Sequence, residues 1–179
     1  MDCIELDREF PLTGAGTRST NRVHVSDIYN DIEKTLFPRK TTGDLSNPLW
    51  AEGGFLFEIA LSKALGDKLG ARPGEVELDN LVGSPDRYDP DTGILYEYKC
   101  SWKSSKTHPS ERWTWMTQLK AYCKLLGTCT AELHVLYLNG DYREHFGPKY
   151  RVFLFCFTER EIEENFEMLK NHAKSKGWM

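Results

Sequence analysis

No apolar run in this chain approaches the roughly 18 residues that a membrane span requires, and the first residues, Met1-Asp-Cys-Ile-Glu5, carry neither a basic flank nor an apolar segment of the export type. The expectation is a cytoplasmic protein with no membrane partner. Cysteine is sparse and widely spaced: Cys3, Cys100, Cys123, Cys129 and Cys156 include no C-x-x-C pair, which argues against a disulfide framework and for a reducing compartment. The five histidines show no zinc-site spacing. Gly14 and Gly16 are not followed by Gly-Lys-Ser/Thr and no apolar strand leads into them, so a phosphate-cradling loop is not indicated. Internal repeats and low-complexity stretches are also missing.

What remains is ordinary globular material: 179 residues, 40% hydrophobic and 28% charged, enough for one domain with a substantial core. A polar, aperiodic arm is expected over residues 1–22 and a single domain over 23–179. The formal net charge of −4 hides a segmental pattern. Lys99, Lys103, Lys106, Arg112, Lys120 and Lys124 meet only Glu111 between Tyr98 and Gly127, whereas five glutamates meet only Arg160 between Glu159 and Glu167. A basic stretch of this kind suits a phosphate backbone, although an ordinary solvated surface has the same look.

Periodicity and capping signals predict helices from Ser26, as cap, to Leu36, from Leu49 to Leu65 with Gly66 near the end, and from Ser110, as cap, to Leu126 with Gly127 as the stop. A last helix follows Thr158, which forms a capping box with Glu161 and runs to about Lys174. Strands are expected near Glu75–Leu78, Leu81–Tyr88, Gly93–Lys99, Ala131–Leu138 and Tyr150–Phe157.

The chemistry concentrates in the third of these strands. Period-2 alternation puts Glu97 and Lys99 on one face, about 7 Å apart along the chain. The preceding Asp89-Pro-Asp-Thr-Gly93 turn signal folds the earlier strand back antiparallel and brings Asp86 beside Glu97. Two carboxylates and an amine then converge where a hard divalent ion, Mg²⁺ or Mn²⁺, would find oxygen ligands in Asp86, Glu97 and the carbonyl of Tyr98, with Lys99 beside the attacking water. Taken alone, Glu97 and Lys99 also read as an exposed ion pair on a surface hairpin. Glu58 adds weight, since it emerges from an apolar helix stripe with Gly54, Phe55 and Leu61 and needs a partner, whether a metal, Lys63 or solvent. Gln118 and Tyr122 lie at i and i+4 on the helix after Lys99, where a glutamine among aromatic residues calls for a polar contact. Ser101, Lys103 and Lys106 are candidate phosphate contacts, and Trp102, Trp113 and Trp115 candidate stacking or packing groups. Asp89 and Asp91 read as turn residues.

Gly54-Phe-Leu-Phe-Glu58, Pro85-Asp86, Glu97-Tyr-Lys99 and Gln118-Leu-Lys-Ala-Tyr122, in that order, resemble the motifs of the PD-(D/E)XK nuclease superfamily, in its RecB-like and lambda-exonuclease-like branches. The resemblance implies an α/β (α+β) fold, with a central mixed β-sheet flanked by helices and a restriction-endonuclease-like αβββαβ core. It also implies a divalent-metal-dependent DNA nuclease, an exonuclease of a repair, recombination or phage system rather than a restriction enzyme. By motif position Asp86 and Glu97 would bind the metal, Glu58 would support it, Lys99 would assist the water, and Gln118 and Tyr122 would position substrate or the lysine. Some relatives hold an iron–sulfur cluster, but the cysteines here lack the spacing, so none is expected. DNA is the expected partner, with a homo-oligomer or a recombination or repair protein possible besides. Two readings compete: an inactive nuclease-fold protein that binds nucleic acid or acts as a scaffold, and an unrelated α+β interaction domain.

Overall fold

The computed structural model describes residues 21–38, 48–65, 70–141 and 147–179. Over them the chain runs β1 (Val23–His24), α1 (Val25–Leu36), α2 (Pro48–Leu65), β2 (Val76–Leu78), β3 (Leu81–Gly83), β4 (Arg87–Asp89), β5 (Ile94–Ser101), a 3-10 turn (Pro109–Glu111), α3 (Trp113–Leu126), β6 (Thr130–Tyr137), β7 (Lys149–Cys156) and α4 (Glu159–Ser175). The expected N-terminal arm before Asn21 and the helix stop at Gly66 fall outside the described residues, as do the surroundings of the Gly54 and Phe55 side chains.

Helices α1 and α4 are each buried along one stripe. Val25, Ile28 and Ile32 line one side of α1, and Ile162, Phe166, Leu169 and Ala173 one side of α4, both at helical spacing. Thr158 and Glu161 form the expected capping box, with Thr158 N–H donating to Glu161 Oε2 at 2.9 Å and Glu161 N–H to Thr158 Oγ1 at 3.2 Å. Gly127 closes α3 with φ of 69°, a conformation glycine adopts without steric cost. Two expected caps are corrected. His24, not Ser26, stands at the N-cap of α1, because Val23 and His24 are held extended by parallel pairing to Leu81 and Val82. Ser110 belongs to the 3-10 turn, where its N–H donates to His108 Nδ1, and α3 begins at Trp113.

The strands form two sheets, β1-β3-β2 and β4-β5-β6-β7. The run expected as one strand from Leu81 to Tyr88 is broken between them at Ser84-Pro85-Asp86, where proline offers no N–H to a ladder. In the larger sheet β4 is antiparallel to β5, β5 parallel to β6 from Ile94↔Thr130 to Ser101↔Tyr137, and β6 antiparallel to β7. The parallel pair is joined through α3, as such a pair requires a crossover. Leu95, Ala131, Leu133 and Val135 pack with α1, α3 and α4 in the main core, while Tyr96 and Tyr98, on the other face of β5, pack with Leu61 of α2. Among the described residues no helix is long and apolar enough to cross a membrane.

Candidate active site

The site lies where β4 stops. The antiparallel register pairs Asp89 with Ile94 and Arg87 with Tyr96 and goes no further, so among the described residues the edge of β5 beyond Tyr96 has no strand against it. Asp86, the residue before β4, uses Oδ2 to accept the Tyr98 N–H at 2.7 Å and so satisfies a group the ladder leaves open. On the face of β5 toward α3, Glu97 and Lys99 stand side by side, with Lys99 Nζ donating to Glu97 Oε1 at 2.6 Å. The Glu97 side chain is 3% exposed, so this is no surface ion pair.

Helix α3 supplies the polar lining. Gln118 Nε2 donates to Glu97 Oε1 at 2.9 Å and to the Tyr122 hydroxyl at 3.1 Å, and Tyr29 of α1 donates its hydroxyl to Gln118 Oε1 at 3.4 Å. Glu97 Oε1 therefore has two donors, whereas Oε2 is buried and has no hydrogen-bond partner among the described residues. Glu58 of α2 is half-buried, and Arg72 Nη1 lies 2.9 Å from its Oε1. That pairing replaces Lys63 or open solvent as the partner foreseen for Glu58. Ser101 is buried at the end of β5 and accepts the Lys103 N–H, and Lys106 is exposed farther along the loop. Neither lysine is brought to the carboxylates.

The acids are held uphill. Burial and the charge of Asp86 push the Glu97 carboxyl well above the usual carboxylate range, against the pull of Lys99. Asp86 is raised by burial, opposed by Lys99 and by the Tyr98 N–H. Glu58 is raised by burial and by Asp86, opposed by Arg72 and Lys99. Burial pulls the Lys99 ammonium down, but the charges of Glu97, Tyr29 and Asp86 more than offset it and hold the group protonated. The three carboxylates feel one another's fields, yet among the described residues no three acidic, histidine or thiol side chains close into a ready cage for an ion.

No family model matches the chain, and no curated protein matches it. Solved structures do. A phage-related exonuclease from Haemophilus somnus aligns with a TM-score of 0.55 at 15% identity, covering 84% of this chain and 79% of its own. An alkaline exonuclease (LHK-Exo) from Laribacter hongkongensis aligns at 0.55 and 14%, covering 87% of this chain and 89% of its own, and its complex with dAMP aligns at 0.56 and 13%. The chain shares the fold of these exonucleases.

Within this fold three residues outside the motifs shape the candidate site. Arg72 arrives from the segment before β2, and Tyr29 from α1, 89 residues away from the glutamine it holds. Gly83 ends β3 directly beneath α3: a Cβ built there would lie 2.5 Å from Leu125 Cδ1 and 2.7 Å from Tyr122 Cε1. Only a glycine lets the Tyr122 ring pass. The Gly83-Ser-Pro-Asp86 run contained that signal, since a glycine inside an apolar strand marks a close approach of neighbouring groups.

Proposed function

We propose that the chain is a Mg²⁺- or Mn²⁺-dependent deoxyribonuclease that hydrolyses phosphodiester bonds, acting as an exonuclease in a repair, recombination or phage setting. The observation that carries the reading is Glu97 Oε2: a buried carboxylate oxygen without a donor is costly, and a hard cation is the partner its chemistry suits. Asp86 and Glu97 would hold the ion. A strand residue directs its N–H and C=O to the same edge, so the Tyr98 carbonyl faces the edge that Asp86 occupies and would join them, with Glu58 supporting from α2. Two side-chain carboxylates and a carbonyl fit an ion that keeps several waters and takes substrate oxygens for the rest, and they do not need a closed cage. When bound, the ion supplies Lewis-acid stabilisation of phosphate charge and lowers the pKa of water.

The chain's own residues supply positioning and charge. Gln118 fixes Glu97 through Oε1 and leaves Oε2 without a donor among the described residues, where an ion would find a ligand. Tyr122 and Tyr29 fix Gln118 in turn, so the carboxylate is oriented before substrate arrives. Lys99 keeps a positive charge next to it, able to orient the attacking water and to offset the negative charge that develops on the phosphate. The exonucleases that share the fold support an action at DNA ends.

Purified protein given end-labelled linear and closed circular DNA, with Mg²⁺, Mn²⁺ or EDTA, tests this. Metal-dependent loss of the linear substrate with circles spared is the expected result, and Glu97→Gln and Lys99→Ala should each abolish it while the thermal melt stays cooperative. Cleavage by both variants at the wild-type rate would overturn the assignment. DNA binding without any cleavage would point to the inactive scaffold instead.

A further inference from the structure

Beyond Lys99 the face of β5 leads to Ser101, about 7 Å further along the strand, and there a cavity of about 460 Å³ opens between the end of β5, the start of α3 and the end of α1. Its size falls within the roughly 300–1,000 Å³ typical of small-ligand pockets. Two cations on its wall, Lys103 and Arg112, are matched by two acids, Glu33 and Glu111. That balance is wrong for a phosphate, which needs an excess of positive charge. Beside these charged groups the wall carries four aromatic residues, Phe37, Trp102, Trp113 and Trp115. Trp102 is 51% exposed.

Arg112 adds a second, independent observation. Its guanidinium sits over the Trp115 ring, 4.9 Å from the centroid, and its buried Nε has no hydrogen-bond acceptor among the described residues. A planar cation stacked on an indole complements a flat heteroaromatic group that carries carbonyl or ring-nitrogen acceptors.

We propose that this cavity holds an unpaired nucleobase of the strand being processed, stacked on the tryptophans beside Lys99 with Arg112 as its donor. The inference rests on the DNA nuclease reading and narrows it: the chain engages a base that has left the duplex. Because every base has a stacking face, the contact is tolerant of sequence. Ser101 and Lys103 then serve the base cavity rather than a phosphate.

Binding is measured in EDTA, where nothing is cleaved, using a short fluorescein-labelled oligothymidylate, the same oligonucleotide with abasic residues, and a blunt duplex. Wild-type protein should bind the oligothymidylate with quenching of tryptophan fluorescence and bind the abasic version about tenfold more weakly, as loss of one stacked base implies. Trp102→Ala, an exposed position that leaves folding intact, should lose the same factor on the oligothymidylate and nothing on the abasic strand. Arg112→Lys keeps the charge but not the plane and should behave alike. Equal binding of the base-bearing and abasic strands, no quenching, or wild-type affinity in both variants would overturn the proposal. The nuclease reading fails separately: base-dependent binding without metal-dependent cleavage by the wild type sinks that reading alone, and cleavage without base-dependent binding sinks only the cavity's role.

Discussion

Gly83→Ala adds a single methyl group, and the structure fixes the sign of its effect. Gly83 has no positive φ, so alanine meets no backbone strain there, and the entropy of the unfolded chain alone would make the variant more stable by about 0.4–1 kcal/mol. Packing opposes this. The new Cβ would lie 2.5 Å from Leu125 Cδ1 and 2.7 and 2.9 Å from Tyr122 Cε1 and Cδ1, where carbon atoms ordinarily rest about 3.5–4.0 Å apart. The Leu125 methyl can rotate away, but the Tyr122 ring is 5% exposed and its hydroxyl accepts from Gln118, so it must move by about 1 Å in a close-packed interior. Overpacking of this kind costs about 1–3 kcal/mol. For a chain of this size each kcal/mol shifts the melt by about 2–4 °C, so the variant should melt several degrees below wild type. The displaced tyrosine also loosens Gln118 and, through it, Glu97. Loss of one such hydrogen bond is worth about 1 kcal/mol, so cleavage should slow about fivefold. Thermal melts by circular dichroism, paired with single-turnover cleavage, measure both. A variant that melts at or above the wild-type temperature would refute the packing argument.

Thr158→Ala removes the hydroxyl that accepts the Glu161 N–H, one of the two bonds of the capping box on α4, and should cost about 1 kcal/mol, read as a lowered melt, with cleavage unaffected. Asp31 of α1 is held below its ordinary value by Lys176 and His172, which tie the end of α4 to α1. A depressed carboxylate contributes stability that is present above the unfolded pKa and lost as pH falls through the folded one. Asp31→Asn should therefore lower the melt at neutral pH, and the gap to wild type should narrow as the pH falls below about 4 and close below the depressed folded value. A gap that persists at acid pH would show that packing, not charge, accounts for it.

The candidate site was legible wherever a local period decides the geometry. Alternation along β5 puts Glu97 and Lys99 on one face, and i,i+4 spacing on α3 aligns Gln118 with Tyr122. The Asp89–Gly93 turn fixes the β4–β5 hairpin through Gly93 at φ of 68° and the Asp89 side chain bonded to Asp91 N–H and Thr92. What escaped the sequence is what depends on distant partners. The ion pair of Arg72 with Glu58 and the bond from Tyr29 to Gln118 join residues with no shared period. The start of α1 was displaced because pairing of β1 with β3 overrides the cap preference of Ser26. The division of Leu81–Tyr88 between two sheets was signalled by Pro85.

That break locates the chemistry. Had β4 continued through Asp86, a strand partner would have taken the Tyr98 N–H and covered the edge of β5 beside Glu97. Because the chain turns away at Pro85, the carboxylate of Asp86 takes the place of a backbone carbonyl, and in the proposed reading one side chain serves both the fold and the site. The two roles separate in Asp86→Asn. An asparagine carbonyl can accept the same N–H, so the hairpin keeps its bond and the melt should stay within a few degrees of wild type. The negative charge is gone, and with it one of two proposed carboxylate ligands, so titration with Mn²⁺ should show its heat of binding lost and cleavage should fall to background. If Asp86→Asn unfolds the protein, the aspartate is chiefly a strap for β5. If it binds Mn²⁺ as tightly as wild type, the ion is held elsewhere.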